Sequence, residues 1–496
     1  MQDRRDTLMI RNGKDIANGT VVSTEVCIVG SGAAGITAAW HLRKAGLRVT
    51  LIEGSRDFGA DWQASRPDKL LLYNGIADGL FAANEPDFLV LPYAGQTSSA
   101  EERERVYGGT SAAWSGQTRP LDPITFEKRP GFPGWPINRG DLDPYYAKAA
   151  RFCKLHGDDF SAEYWANILQ AEVPHLAGFD TAMYQFIGRN HLNFARRTFD
   201  GMTIGESAVD VILNASLIDI DHAHGFVRSI RVASMGDPLP PRKAAEFTIQ
   251  ARAFVLACGA VANAHQLLLS NAGNEHDQVG RYFMCHPLST SYINAITRPY
   301  LTEAETRLMN GRMRNLAPWL DSNGVYVTGR FSPDAEQQRK LQIGSCWFWA
   351  GNGQYYFETA PNPDSRITLA DTLDPVFGQP QTRITWALSP RDEATYYQSI
   401  RLFKTAVNKL GGDVAFLPWE IVKSRLIVNG HHIGTTRMSA DPTQGVVDAN
   451  LKVHSLFNLY VAGSSAFPSA GISNPTFTII ALSIRLADHL SGASGT

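Results

Sequence analysis

Cysteine is scarce in this chain and shows no pattern: five residues, at positions 27, 153, 258, 285 and 346, without a CxxC spacing. An odd and scattered set excludes a disulfide framework and the common metal clusters. It predicts reduced, mostly buried thiols in a cytoplasmic protein. Long apolar runs are also absent, and none reaches the roughly 20 residues needed to span a bilayer. The Arg-Arg pair in the opening MQDRRDTLMIRNGKDIANG is not followed by an apolar h-region, so neither a Sec nor a twin-arginine signal is expected. Charge of one sign is missing as well: 46 Lys and Arg stand against 48 Asp and Glu. That balance argues against nucleic acid or an anionic membrane as partner. Repeats and low-complexity tracts do not occur. What remains is an ordinary globular composition, 44% apolar and 19% charged, in 496 residues. Such a chain holds two or three domains and a large core.

The first informative stretch is Glu25–Val29, a short β-prone run leading into Gly30-Ser31-Gly32-Ala33-Ala34-Gly35. A helical pattern follows, then Gly46, then a second strand over Arg48–Ile52 that ends at Glu53. Alone, GxGxxG is weak. Between a strand and a helix, with an acid 18 positions beyond the last glycine, it is a dinucleotide-binding fingerprint. The first glycine permits a tight turn and the second lets a pyrophosphate approach the backbone. The third lets the helix pack close to the strand, and the helix N-terminus meets the phosphates. Glu53 is expected to accept hydrogen bonds from ribose hydroxyls. This motif does not separate NAD from FAD. Further nucleotide-domain pieces appear much later, however, at FVLACGAVANAHQLLLSN (254–271) and near the C-terminus. A domain interleaved in this way suits the longer FAD.

The segment from His431 to Thr476 reads HHIGTTRM and then VVDANLKVHSLFNLYVAGSSAFPSAGISNPT. VHSLFNLYVAG is read as a buried strand ending at a glycine. Asn474-Pro475-Thr476 opens a helix, with proline where its missing N–H costs nothing. That helix, over about 476–490, is apolar on nearly every face and must be buried, so its positive end points inward. A histidine and an asparagine beside such an end suit chemistry that develops negative charge. Tyr107–Gly116 supplies paired glycines, Gly108 and Gly109, with Thr110, Ser111 and Ser115. That loop presents N–H groups and hydroxyls to a polar ligand, and Trp114 adds a flat apolar surface.

These segments resemble the glucose–methanol–choline (GMC) flavin oxidoreductases. HHIGTTRM…NPT resembles their C-terminal signature, and 254–271 their second flavin-domain signature. Tyr107–Gly116, followed by RPLDPITFEKRPGFPGWPINRGDLDPYY, resembles the flavin-contacting loop of bacterial sugar-active members and pyranose oxidases. The likeness covers most of the chain, unevenly. It implies an α/β fold: an FAD-binding, Rossmann-like domain of the p-hydroxybenzoate hydroxylase type from 20–120, 205–290 and 425–496. An α+β substrate domain, built on an antiparallel sheet, is inserted as 121–204 and 291–424. It implies FAD contacts from Gly30, Ser31, Gly32, Ala33, Ala34, Gly35, Glu53, Gly108, Gly109, Thr110, Ser111, Trp114 and Ser115. Ala257, Gly259, Gly463, Ser464, Pro475 and Thr476 complete that set, and no metal is expected.

In the family's H-x-x-G-T pattern the leading histidine is catalytic, which maps to His431. The second catalytic position, His or Asn 43 or 44 residues later, maps to Asn474. His432 is a base candidate one register away. Where pyranose oxidases link flavin to a histidine just before the tryptophan, Ala113 stands here, so FAD is expected to be noncovalent. Gly463 falls where many members have aspartate, a role Ser464 or Ser465 would take over. His286 in GRYFMCHP, where Cys285 replaces an acid, and His454, read as lying in a strand, are expected to be structural.

The implied activity is oxidation of an alcohol, most simply a secondary hydroxyl of a sugar, glycoside or polyol, with oxygen, a quinone or another carrier as acceptor. An alcohol of specialised metabolism is the near alternative. A flavin-bound lyase or non-redox relative is disfavoured by the presence of both His431 and Asn474, and an NAD-dependent dehydrogenase by the Gly108–Gly116 loop and the split nucleotide domain. Within the later insertion, GSCWFWAG, QYYFETA and TRITWALS are expected to form one antiparallel sheet facing the flavin. Their aromatic residues (Trp347, Phe348, Trp349, Tyr355, Tyr356, Phe357) either stack on a pyranose ring or fill a core. DEATYYQSIRLFKTAVNKLGG reads as an amphipathic helix. Residues 76–105 read as a mobile lid or, more in keeping with their charge, a solvated excursion.

Overall fold

The computed structural model describes residues 10–55, 105–112, 114–188, 191–203, 209–236, 242–289, 293–296, 305, 323–349, 354–424, 426–428 and 430–492. The proposed lid (76–105, apart from Arg105) and Ala113 lie outside them.

Two sheets among the described residues position everything else. The first has eight strands in the order Ile10–Asn12, Asp210–Leu213, Val49–Ile52, Val21–Val29, Lys243–Leu256, Phe226–Met235, Ser216–Ala223. The short strand Leu459–Val461 pairs with Lys243–Leu256. The strands from Ile10–Asn12 to Lys243–Leu256 run parallel. Val26 to Val29 and Val49 to Ile52 are buried on both faces, as parallel strands covered by helices must be. Two helices cover this sheet closely. Ala33–Lys44 packs against Pro475–Ser491, and its small residues Thr37, Ala38 and Ala39 are wholly buried. Arg139–Cys153 adds a third layer, tied to the C-terminal helix by Tyr146 Oη to Thr478 Oγ1 (2.9 Å) and by Lys148 to Asp488 (2.6 Å).

The second sheet has seven antiparallel strands in the order Ile427–Val428, Pro287–Ser289, Gln354–Phe357, Cys346–Trp349, Tyr326–Pro333, Phe179–Phe186, Gln117–Thr118. Side chains alternate across it. Cys346, Phe348, Tyr355 and Phe357 enter one hydrophobic core with Tyr396 and Phe403 of the helix Pro390–Lys409. Trp347 and Tyr356 point the other way, toward Tyr184 and Phe186.

Two expectations about strands need correction. TRITWALS does not join this sheet: Pro380–Thr385 pairs with Arg366–Leu373 in a separate hairpin. VHSLFNLYVAG is a strand only over Leu459–Val461. Before it the backbone turns on itself, with Leu456 N–H donating to the Val453 carbonyl and Val453 N–H to the Leu459 carbonyl. The Asn458 amide meanwhile bonds both backbone groups of Val227. His454 therefore sits in a turn and not in a strand. No described helix is long and apolar enough to cross a membrane.

Candidate active site

The two sheets meet along a cavity of about 920 Å³. The Gly30–Ala34 turn forms part of its wall, and each glycine there has its own steric reason. Gly30 has φ of +100°, and a Cβ would stand 2.7 Å from the Ala257 carbonyl oxygen. A Cβ on Gly35 would stand 1.9 Å from the Gly30 carbonyl oxygen, so the helix could not seat so close to the strand. Gly32 has open space where its Cβ would be. The helix Ala33–Lys44 begins there, with its N–H groups at the cavity. This is a cradle that fits a pyrophosphate.

Ser31 is the knot of this end. Its N–H (3.0 Å) and hydroxyl (2.6 Å) both donate to Glu53 Oε2, and its oxygen accepts from Gly108 N–H (3.1 Å). Glu53 Oε1 accepts from Ser55 N–H (2.9 Å), so the carboxylate reaches the cavity with three protein hydrogen bonds already made. Gly109, Thr110, Ser111, Trp114 and Ser115 line the cavity, whereas Gly108 and Gly35 stand behind it. The Trp114 indole is fixed by Nε1–H donating to the Leu192 carbonyl (3.1 Å) and by Phe194 at 5.6 Å. Ala257 and Gly259 line the wall beside the Gly30 turn.

The C-terminal residues close the other side. Gly463, Ser464, Asn474, Pro475 and Thr476 line the cavity together with His431 and His432. Gly463 has φ of +122°, a backbone that explains glycine where other residues would be strained. Of the two serines, Ser464 faces the cavity and donates to the His432 carbonyl (2.7 Å). Ser465 is wholly buried and accepts from Asn263 Nδ2 (3.0 Å).

The half-buried His431 sits in a web of polar contacts. Its Nε2 lies 3.2 Å from Asn474 Nδ2, where the helix Pro475–Ser491 begins. Its Nδ1 lies 2.5 Å from Tyr356 Oη and 3.2 Å from His286 Nδ1. His432 instead packs its ring on Phe283. Burial, reinforced by the charges His286 and His432 would carry, holds His431 well below the ordinary 6.5.

Sequence reasoning missed three partners. Tyr356, expected to stack on a sugar or fill a core, directs its hydroxyl at the base candidate. His286, expected to be structural, touches His431. Asn263, buried in the helix Gly259–Leu269, ties Cys258 N–H to the Ala462 carbonyl and Ser465. Only Asn263 carried a local signal, as a polar residue inside an alanine-rich helical pattern. Of the six aromatics, Trp347, Trp349 and Tyr356 line the cavity, and Phe348, Tyr355 and Phe357 fill the core.

Residues 361–483 match the family described as GMC oxidoreductase, and residues 28–86 match an NAD(P)-binding Rossmann-like domain. The chain is 25% identical to paromamine 6'-oxidase of Streptomyces fradiae, over 94% of this chain and 91% of that one. It is 25% identical to a C-glycoside 3-oxidase of Microbacterium trichothecenolyticum, over 77% and 75%. The fold is shared with formate oxidase, with a TM-score of 0.60 at 15% identity, over 97% and 99% of the two chains. With a pyrophosphate cradle and a His–Asn pair on one cavity, these likenesses identify residues 361–483 as a GMC oxidoreductase C-terminal domain and the chain as an FAD-dependent oxidoreductase acting on CH–OH groups.

Proposed function

We propose that the protein oxidises a secondary hydroxyl of a sugar, glycoside or polyol, with His431 as general base. The carrying observation is the approach of His431 Nε2 to Asn474 Nδ2 at the cavity wall. His431 Nε2 takes the hydroxyl proton, and Asn474 holds the substrate oxygen by an N–H while offering no competing base. FAD, when bound, supplies the acceptor for the hydride that leaves the carbinol carbon. Asn474 stands at the N-terminus of a 17-residue helix, whose partial positive charge favours the alkoxide character that develops on the oxygen. Thr476 and the same N-terminus would stabilise charge on the pyrimidine edge of the ring system. The similarity to a paromamine 6'-oxidase and a C-glycoside 3-oxidase supports a carbohydrate substrate.

The cofactor is held noncovalently in this reading, since Ala113 offers no nucleophile. In this reading residues 20–120, 205–290 and 425–496 are the FAD-binding part and 121–204 with 291–424 the substrate part, except that Gln117–Thr118, Pro287–Ser289 and Ile427–Val428 pair into the antiparallel sheet of the substrate part. A cytoplasmic location fits five cysteines that are all free. One experiment tests substrate, acceptor and attachment together. The purified yellow protein is offered sugars, glycosides and simple alcohols, with oxygen and with a dye acceptor, and is then precipitated with acid. A carbohydrate should be turned over fastest and the flavin should appear in the supernatant. Preference for a simple alcohol, or flavin that stays with the chain, would overturn the corresponding part.

The pH profile follows from the site. His431 must be neutral to accept a proton, and its folded-state pKa is lowered. Activity is therefore fully present above that value and lost as pH falls through it. kcat/KM should stay flat from about pH 8 down through 6.5 and show its acid limb only below 6.5. An acid limb centred at or above 6.5 would contradict a desolvated His431.

A further inference from the structure

We infer that His286 is a positioning residue that keeps the proton of His431 on Nδ1 and so leaves Nε2 as the bare nitrogen toward Asn474 and the cavity. The inference rests on the reading of His431 as the base. The Gly471 carbonyl oxygen has no choice of role and can only accept. His286 Nε2 lies 2.7 Å from it and must be the protonated nitrogen of that ring. A neutral imidazole has one N–H, so His286 Nδ1 carries a lone pair. His286 is wholly buried, and burial pushes its ring down to about 4, which keeps it neutral near pH 7.

That lone pair faces His431 Nδ1 at 3.2 Å. Two lone pairs at this distance would repel, whereas a proton on His431 Nδ1 turns the contact into a hydrogen bond. Tyr356 Oη, at 2.5 Å from the same nitrogen, is compatible with either polarity, because a hydroxyl can accept or donate. On the far side of the ring, Asn474 Nδ2 stands 3.2 Å from Nε2, as expected of a donor beside an unprotonated nitrogen.

The anchor is itself held. Gly471 has φ of +59°, and a Cβ there would meet Leu121 at 2.6 Å and Thr125 at 2.9 Å. Its N–H donates to Glu358 Oε2 (2.6 Å). Glu358 is buried, accepts also from Ser345 N–H (2.7 Å), and pairs with Arg129 at 3.4 Å. A pinned carboxylate thus fixes a turn, the turn's carbonyl fixes one imidazole, and that imidazole fixes the next.

Two variants separate this role from mere packing. In His286→Asn the side-chain oxygen falls near the place of Nδ1, so the acceptor toward His431 is kept and the bond to Gly471 is lost. In His286→Gln the amide reaches toward Gly471 and no acceptor remains at Nδ1. Anaerobic reduction of the bound flavin by substrate should stay within about tenfold of wild type in His286→Asn and fall further, by roughly tenfold to a hundredfold, in His286→Gln. A packing role predicts the reverse order, and that order would overturn the inference. Independently, ¹⁵N NMR of histidine-labelled, FAD-loaded protein should show His431 protonated on Nδ1 in wild type and lose that preference in His286→Gln. A wild-type His431 protonated on Nε2, or an unchanged tautomer in His286→Gln, would also overturn it. Neither NMR result depends on turnover. Full activity in His431→Ala would strike the base assignment alone.

Discussion

Replacing His431 by alanine should slow anaerobic flavin reduction by roughly 10²–10⁴-fold, the usual scale for loss of a general base. FAD content should be preserved, because the proposed adenine end is built by Gly30–Gly35 and Glu53, whose carboxylate is held by Ser31 and Ser55. Asn474→Ala should also slow reduction by removing a donor to the substrate oxygen, while Pro475 keeps the helix start in place. His432→Ala should do far less, since its ring packs on Phe283 and Asn474 approaches His431. Stopped-flow mixing of substrate with oxidised enzyme reads all three. Loss of reduction in His432→Ala with normal rates in His431→Ala would transfer the role by one residue. Normal rates in both would remove the base from this loop altogether.

The sequence revealed those parts of the site that are built locally. The Gly30–Gly35 turn, the helix beginning at Pro475 and the aromatic strand 346–349 each depend on neighbouring residues, so turn chemistry and periodicity expose them. Contacts made across the fold were hidden. Tyr356 and His286 stand 75 and 145 positions from His431, and nothing nearby in the chain marks them. The misplaced strand has the same origin. TRITWALS alternates like GSCWFWAG, and alternation shows which residues share a face without showing which strand is the partner. In VHSLFNLYVAG the apolar run suggests a strand throughout, whereas Asn458 spends its amide on Val227 and the backbone turns just before Leu459. A polar residue inside an apolar run was the available sign of that turn. The same lesson covers Glu53: a ribose ligand was expected, and the structure adds that Ser31 and Ser55 hold its carboxylate ready at the cavity wall.

The second large effect separates two glycines of one motif. Gly35→Ala places a methyl group 1.9 Å from the Gly30 carbonyl oxygen and 3.4 Å from Ala257 Cβ. The obstacle is backbone, which cannot turn aside as a side chain would, so the helix Ala33–Lys44 must move away from its strand. Overpacking of this kind costs about 1–3 kcal/mol, and the better helix propensity of alanine returns at most about 1. The helix is also clamped from behind by Pro475–Ser491, so the shift has little room. Gly35→Ala should therefore lower the melting temperature of the FAD-free protein and weaken FAD binding together. Gly32→Ala differs in kind. Its φ of −66° and ψ of −174° suit any residue, and among the described residues nothing beyond its own chain neighbours lies within 4 Å of the added methyl group. The FAD-free protein should melt within about a degree or two of wild type, as expected for a substitution worth less than about 0.5 kcal/mol. The methyl group would nevertheless occupy the space through which a pyrophosphate must approach the backbone, and FAD affinity should fall by about tenfold or more, equivalent to at least about 1.4 kcal/mol. Fluorescence titration with FAD and melting curves of both variants decide the matter. Wild-type affinity in Gly32→Ala would mean that the phosphates lie elsewhere. Unchanged melting in Gly35→Ala would mean that the strand and helix can separate freely, which their buried Ala38, Ala39 and Ile28 side chains argue against.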